Sequence, residues 1–351
     1  MSTLSTPLLW LVFAGSAGVT LAAGLYLARA TDSLDDRWKL GETFGGMLLL
    51  AVAGTLPEAA ITITAAFSHQ LDLAAGNLLG GIAIQTAVLA ICDYFVIEKK
   101  PLSYMVGSLV PVLEALLVIA VTSIALLGAL LPSSAIVLRM SPASIAIVVV
   151  WVGGMFLLNT VRNSPKWDVH MPGSKPGRPH RRIPHPVVVH PFAAWSAARV
   201  LAVFLAGSLV TLGAGWALTV ASGLLAARAG MNGLLFGATI LAVASALPEI
   251  STGIAAVRLG DHQLAMGDIF GGNAFQLTLF AVADLIAGSA VLARAGVANS
   301  WLAGVSVLMT MVYAGAIIVR PEHDHLRLGL DSIVVLLILV VGIGGLLVVG
   351  H

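Results

Sequence analysis

Two glutamates stand where a carboxylate is least tolerated. Glu58 and Glu249 each lie inside a long apolar run, more than two helical turns from the nearest loop. A charge at that depth in a bilayer costs about 3 kcal/mol or more, so it must face protein and acquire a counter-charge. No Lys or Arg sits at comparable depth in any apolar run, which leaves bound cations or protons for that role. Pro57 and Pro248 directly precede the two acids. A proline removes the N–H that would bond the carbonyl four residues back, here Ala53 and Ala244, and breaks the helix. Freed carbonyls are tolerated at membrane depth where they line a polar cavity. Gln85 and Gln276 follow their glutamates by 27 residues each and bring neutral amide oxygens. Carboxylate, amide and carbonyl oxygens are the ligands that hard cations take. The candidate cation-binding residues are therefore Glu58, Glu249, Gln85 and Gln276, with Pro57 and Pro248 as helix breaks.

These residues recur because the chain repeats itself. Residues 50–93 align with 241–284 without a gap at an offset of 191, with 18 identities in 44 positions. LAVAGTLPE meets LAVASALPE, and LAAGNLLGGIAIQ meets LAMGDIFGGNAFQ. The small membrane alphabet explains some of this, but not Pro, Glu, Gln and a double Gly held in register. Gly76, Gly80 and Gly81, with Gly267, Gly271 and Gly272, form small-residue faces that let helices approach closely.

The elements that position these residues must be membrane helices. Of 351 residues, 58% are apolar and 10% charged, against about 45–50% and 25% in soluble domains. A net charge of +1 and a single cysteine, Cys92, point to neither nucleic acid nor a disulfide framework. A span needs roughly 20 apolar residues. Ten are expected, near 8–28, 43–67, 71–94, 106–131, 142–159, 198–222, 233–257, 264–287, 300–319 and 332–350. The fold class is thus all-α integral membrane protein. Residues 1–159 form a first five-helix repeat, 160–197 a Pro/His/Arg-rich loop, and 198–351 a second five-helix repeat. The offset covers five spans, an odd number, so the copies run through the membrane in opposite senses. Inverted repeats characterise secondary transporters with a site near the midplane. With the N-terminus outside, 15 of the 18 Lys and Arg fall on the cytoplasmic side; only Arg139, Arg228 and Arg294 fall outside. That distribution predicts a multi-pass plasma (inner) membrane protein with both termini outside and the 160–197 loop cytoplasmic.

Secondary candidates surround the central four. Thr55 and Ser245 carry hydroxyls just before the Pro-Glu pairs. Asn77 and Asp268 stand one turn before Gly81 and Gly272, on the face shared with the glutamines, where they suit an access path or a second site. Asn273 follows the double glycine in the second copy only. Glu114 has no acidic mirror, since residue 305 is Val; it is read as a proton relay or a protonated structural residue. Asp93 and Asp284 close the two motifs near span ends, where capping is expected. His170, His180, His185 and His190 sit among prolines and basic residues in the loop, in no closed metal-site spacing.

The motifs resemble the alpha-repeats of the calcium/cation antiporter superfamily, which includes the sodium/calcium exchangers. That pattern, approximately G-T-S-L-P-E and then G-N-x-x-G-S-N-x-x-N, stands here as Gly54-Thr55-Leu56-Pro57-Glu58 with Gly76-Asn77 and Gly80-Gly81. In the second copy it is Ser245-Ala246-Leu247-Pro248-Glu249 with Gly267-Asp268 and Gly271-Gly272-Asn273. The resemblance implies the sodium/calcium exchanger-like fold and makes the two glutamates the principal ion ligands. Gln85 and Gln276 stand where the family usually has Asn or Asp, and Gly81 and Gly272 where it usually has a hydroxyl-bearing Ser.

A secondary active antiporter follows, exchanging Ca2+ or another hard cation against H+ or Na+ by alternating access. A monovalent cation (Na+ or K+)/H+ antiporter on the same fold is the alternative, and a passive channel a distant one, for there is no carbonyl-lined filter or ring of charge. An intramembrane enzyme is set aside because no span carries a His at depth. No cofactor is expected; the transported ions are substrates. The lipid bilayer and inorganic cations are the partners the sequence implies, and no nucleic acid or protein partner is indicated.

Overall fold

The computed structural model describes residues 1, 3–38, 52–97, 100–163, 192, 194–294, 296–322, 324–325 and 327–349. The chain forms α1 (Thr6–Trp38), α2 (Leu56–Phe67), α3 (Leu71–Tyr94), short α4 (Leu102–Met105), α5 (Val110–Gly128) and α6 (Pro142–Asn163). The second half forms α7 (Ala197–Ala229), α8 (Gly233–Ser245), α9 (Leu247–Arg258), α10 (His262–Gln276), α11 (Leu279–Ala287), short α12 (Val291–Arg294), α13 (Gly296–Val319) and α14 (Leu330–Val349). A small antiparallel hairpin, Asp324–His325 with Leu328–Gly329, precedes α14.

Among the described residues, eight helices are long and apolar enough to cross a membrane, and α8 with α9, bent by 44°, makes a ninth. The expected span at 43–67 lies partly outside the described residues; its described part is a helical stretch at 52–54, a break at Thr55 and α2. The expected loop at Pro165–Pro191 also lies outside them. Two expected boundaries change. α1 and α7 each run for 33 residues, well past the apolar stretches at 8–28 and 198–222. At 1.5 Å per residue each is about 50 Å long, beyond the ~30 Å hydrocarbon core. Hydropathy ends before the helix does, because no breaker stops it until Gly230 caps α7 in the left-handed conformation (φ 65°). The expected span at 264–287 is interrupted at Leu277–Thr278, just past Gln276, whereas its mirror α3 is continuous.

α3 runs through the middle of the bundle, packed against α8, α9, α10, α13 and α14. Its glycines permit the approach. A Cβ on Gly76 would strike the Leu234 carbonyl, and one on Gly80 would strike the Ala238 backbone. Reciprocally, a Cβ on Gly237 would stand 2.6 Å from the Leu73 carbonyl. Gly237 opens a π-helical turn, Gly237–Leu241, within α8.

α1 and α7 pack along each other outside this core. Each meets it through a glycine set against one of the broken spans. A Cβ on Gly24 of α1 would lie 3.0 Å from Pro248, and one on Gly215 of α7 would strike Ala60 and approach the Pro57 carbonyl at 3.4 Å. Gly24 and Gly215 are themselves separated by 191 residues, so the repeat extends to these seats.

Two buried aspartates brace the halves. Asp93, at the end of α3, accepts from Leu102 N at 2.6 Å, from Gly329 N at 2.6 Å and from the Ser332 hydroxyl at 2.7 Å. Asp284 in α11 accepts from Val291 N at 2.8 Å, Ser141 N at 2.8 Å and the Ser144 hydroxyl at 2.7 Å. Each copy's motif-bearing segment is thereby tied to the start of the other copy's last helix.

Candidate cation site

The Pro-Glu pairs sit where a helix stops and restarts. The chain breaks at Thr55 and at Ala246, and the new helices open on Leu56-Pro57 and Leu247-Pro248. Proline fits there because the first N–H groups of a helix have no intrahelical acceptor. The restarted helices close their first turns with Ala59 N donating to Thr55 O at 2.9 Å and Ile250 N to Ala246 O at 3.0 Å. Glu58 and Glu249 fall in those first turns, where the positive end of the helix dipole favours a carboxylate.

Both acids are buried, and their charges interact with each other. Gln85 Nε2 donates to Glu58 Oε1 at 3.1 Å. Among the described residues Glu58 Oε2 and Glu249 Oε2, both buried, accept no hydrogen bond, and Gln276 Oε1 and Asn273 Oδ1 are buried and unpartnered likewise. Among the described residues neither glutamate forms an ion pair. Nor do three or more His, Cys, Asp or Glu side chains gather as metal-binding groups do. The arrangement offers two carboxylates and neutral oxygens, with acceptor capacity left over.

The two glutamines do not play mirrored parts. Gln85 stays within its own copy and presents its NH2 to Glu58, where the sequence reading expected an oxygen turned to an ion. Gln276 reaches across instead, donating to the Leu78 carbonyl of α3 at 2.8 Å. A Cβ on Gly81 would sit 2.5 Å from Gln276 Nε2. The longer glutamine therefore occupies the space that a serine side chain at 81 would fill. Close packing, expected at all six motif glycines, is absent at Gly271 and Gly272, where an added Cβ meets nothing within 4 Å.

A model of the sodium/calcium exchanger protein family matches residues 8–161 and 199–348. The chain belongs to that family. CaxA of Alkalimonas amylolytica is 29% identical to this exchanger over 262 residues, 73% of this chain and 74% of that one. The crystal structure of the H+/Ca2+ exchanger CAX superposes with a TM-score of 0.64 at 14% identity, covering 96% of this chain and 88% of that one. The sodium–calcium exchanger NCX_Mj superposes with a TM-score of 0.61 at 14% identity, covering 97% and 99%. At that identity the two solved structures show the fold. The exchanger is a multi-pass transporter rather than an enzyme.

The secondary candidates of this exchanger fall into three groups. Ser245 and Asn77 meet across the copies, Oγ to Oδ1 at 3.4 Å, with Thr55 buried close in sequence to Glu58. Asn273 donates to the Thr86 hydroxyl of α3 at 3.2 Å. Asp268 accepts from the Thr252 hydroxyl at 3.0 Å and its charge is felt at Glu249. Glu114 departs from expectation. It pairs with Arg162 at 2.8 Å, because α6 continues four residues past the expected span end at 159 and carries the guanidinium back over α5. Sequence reasoning missed Thr86, Thr252 and Arg162. Thr252 carries a readable signal, a hydroxyl one turn after Glu249; Thr86 and Arg162 carry none, since their partners come from other helices.

Proposed function

We propose that this exchanger carries a hard divalent cation, Ca2+ foremost, against protons by alternating access, with Na+ as the second candidate counter-ion. One observation carries the reading: Glu58 and Glu249 are buried together, repeat-related, and without a cationic partner among the described residues. One divalent cation or two protons neutralise such a pair equally, so electroneutral exchange satisfies the site in both loaded states. The neighbouring glutamines add neutral donors without changing that balance. Gly81 and Gly272 lack the hydroxyls that would multiply sites for Na+, which favours protons as the counter-ion. The names of CAX and NCX_Mj supply both coupling ions as precedents. The glycine seats at Gly24 and Gly215 support movement of the α1–α7 pair against the core, since smooth contacts at the broken spans permit sliding. The charge distribution supports an inner-membrane orientation with both termini outside.

The test is purified protein in proteoliposomes, with Ca2+ uptake followed under an imposed pH gradient and then an imposed Na+ gradient. Uptake driven by the pH gradient alone is expected. Uptake only with Na+ transfers the coupling to Na+, and monovalent cation/H+ exchange without Ca2+ movement overturns the divalent reading.

A further inference from the structure

The repeat makes one departure that lies along the approach to Glu249. Asp268 mirrors Asn77, Thr252 mirrors Ile61 and Glu114 mirrors Val305. All three departures put polar or acidic groups on one side of the site and neutral ones on the other. They share a face of the membrane, the one on which α5 and α10 begin and α6 and α9 end.

The contacts join them into a path. Arg162, at the end of α6, has its side chain 41% exposed, while its partner Glu114 is 5% exposed. Among the described residues Arg162 holds Glu114 Oε1, while Oε2 is buried, unpartnered and directed at Gly267, where an added Cβ would lie 3.1 Å away. Gly267 leads directly to Asp268, whose carboxylate takes the Thr252 hydroxyl and interacts electrostatically with Glu249. Glu249 in turn has Oε2 buried and without a hydrogen-bond partner among the described residues. On the opposite approach the mirror positions offer the Asn77 amide and a valine, so neither supplies an acid on the way to Glu58.

Resting on the exchange reading above, we propose that Glu114 and Asp268 form a one-sided approach for the transported cation, closed at its mouth by Arg162. A cation arriving from the α6-end face displaces the guanidinium from Glu114, passes to Asp268 beside Gly267, and reaches Glu249. Charge along a low-dielectric path raises the local cation concentration and the rate of entry. Apparent affinity for the cation is then higher on this face than on the other.

The test uses full-length protein in proteoliposomes, with orientation marked by a protease-cleavable tag placed in the 160–197 segment. The KM for Ca2+ is measured separately at each face. Asp268→Asn and Glu114→Gln are expected to raise KM at the α6-end face by about fivefold and to leave the opposite face within about twofold. Arg162→Gln is expected to lower KM at the α6-end face only. Asn77→Asp, which adds charge to the neutral approach, is expected to lower KM at the opposite face, and it keeps the test decisive if the other variants fold poorly. Equal shifts at both faces, opposite shifts at the two faces, or no shift would overturn the one-sided approach while wild-type exchange stands. Absence of Ca2+ exchange in the wild type overturns the underlying reading, and this inference with it.

Discussion

Glu58 and Glu249 place two repeat-related carboxylates from opposite halves in one buried space. Among the described residues each has a buried, unpartnered oxygen, and in a low-dielectric interior that demands a cation or a proton. Glu58→Gln and Glu249→Gln each remove one of the two charges a divalent cation balances. Each is expected to lower exchange by at least about 100-fold in proteoliposomes, with normal membrane yield and a single peak in size-exclusion chromatography. Retention of wild-type flux by either variant would remove that residue from the site. Gln276 has a subtler part, because its NH2 is anchored on the Leu78 carbonyl at 2.8 Å and its oxygen has no partner among the described residues. Gln276→Asn shortens the side chain by one methylene and loses that anchor. A roughly tenfold rise in the KM for the transported cation with smaller change in turnover is expected, on the ground that small misplacements of a ligand are costly.

At the scale of elements, the two copies of the motif are not equivalent. α3 is continuous and packed through Gly76, Gly80 and Gly81, while α10 is interrupted after Gln276 and leaves Gly271 and Gly272 facing open space. Matched substitutions should therefore diverge. Gly81→Ala pushes the end of Gln276 aside and is expected to raise the transport KM by about tenfold, whereas Gly272→Ala should stay within about twofold; equal effects would contradict this packing. The seats of the α1–α7 pair make a second element-level prediction. In Gly215→Val the added methyls meet Ala60 and the Pro57 carbonyl, and overpacking of this kind costs about 1–3 kcal/mol. Turnover should fall more than the KM rises, as read from initial rates over a range of cation concentrations.

Over the whole molecule, Asp93 and Asp284 brace the two halves. Each accepts three hydrogen bonds and ties its own motif-bearing segment to α14 or α6, the last helix of the other copy. A site shared between two halves needs its donors held at fixed separation while the outer helices move. Asp93→Asn or Asp284→Asn replaces charge-assisted bonds with neutral ones and is expected to destabilise the protein by about 2 kcal/mol. A lowered midpoint of thermal unfolding in detergent measures it, and an unchanged midpoint would show the braces to be unimportant. The one-sided acidic approach belongs to this scale too, since it breaks the symmetry the repeat otherwise imposes.

Much of this was legible in the chain itself. The membrane class, the repeat, the helix breaks at Pro57 and Pro248 and the buried acids Glu58 and Glu249 follow from hydropathy, backbone chemistry and a fixed offset, all of which act locally or within one copy. Span lengths were less legible, because α1 and α7 continue as helices after their apolar stretches end, and hydropathy does not report a helix boundary. Contacts between separate helices were not legible at all. That Gln276 crosses to Leu78 over Gly81, that Ser245 meets Asn77 and that Arg162 folds back onto Glu114 depends on how helices far apart in sequence pack. The sequence by itself determined that two carboxylates must be buried in a membrane. Only the tertiary structure decided which atoms face them, because the depth of a residue is set by its own helix but its partners are set by the neighbours packed against it.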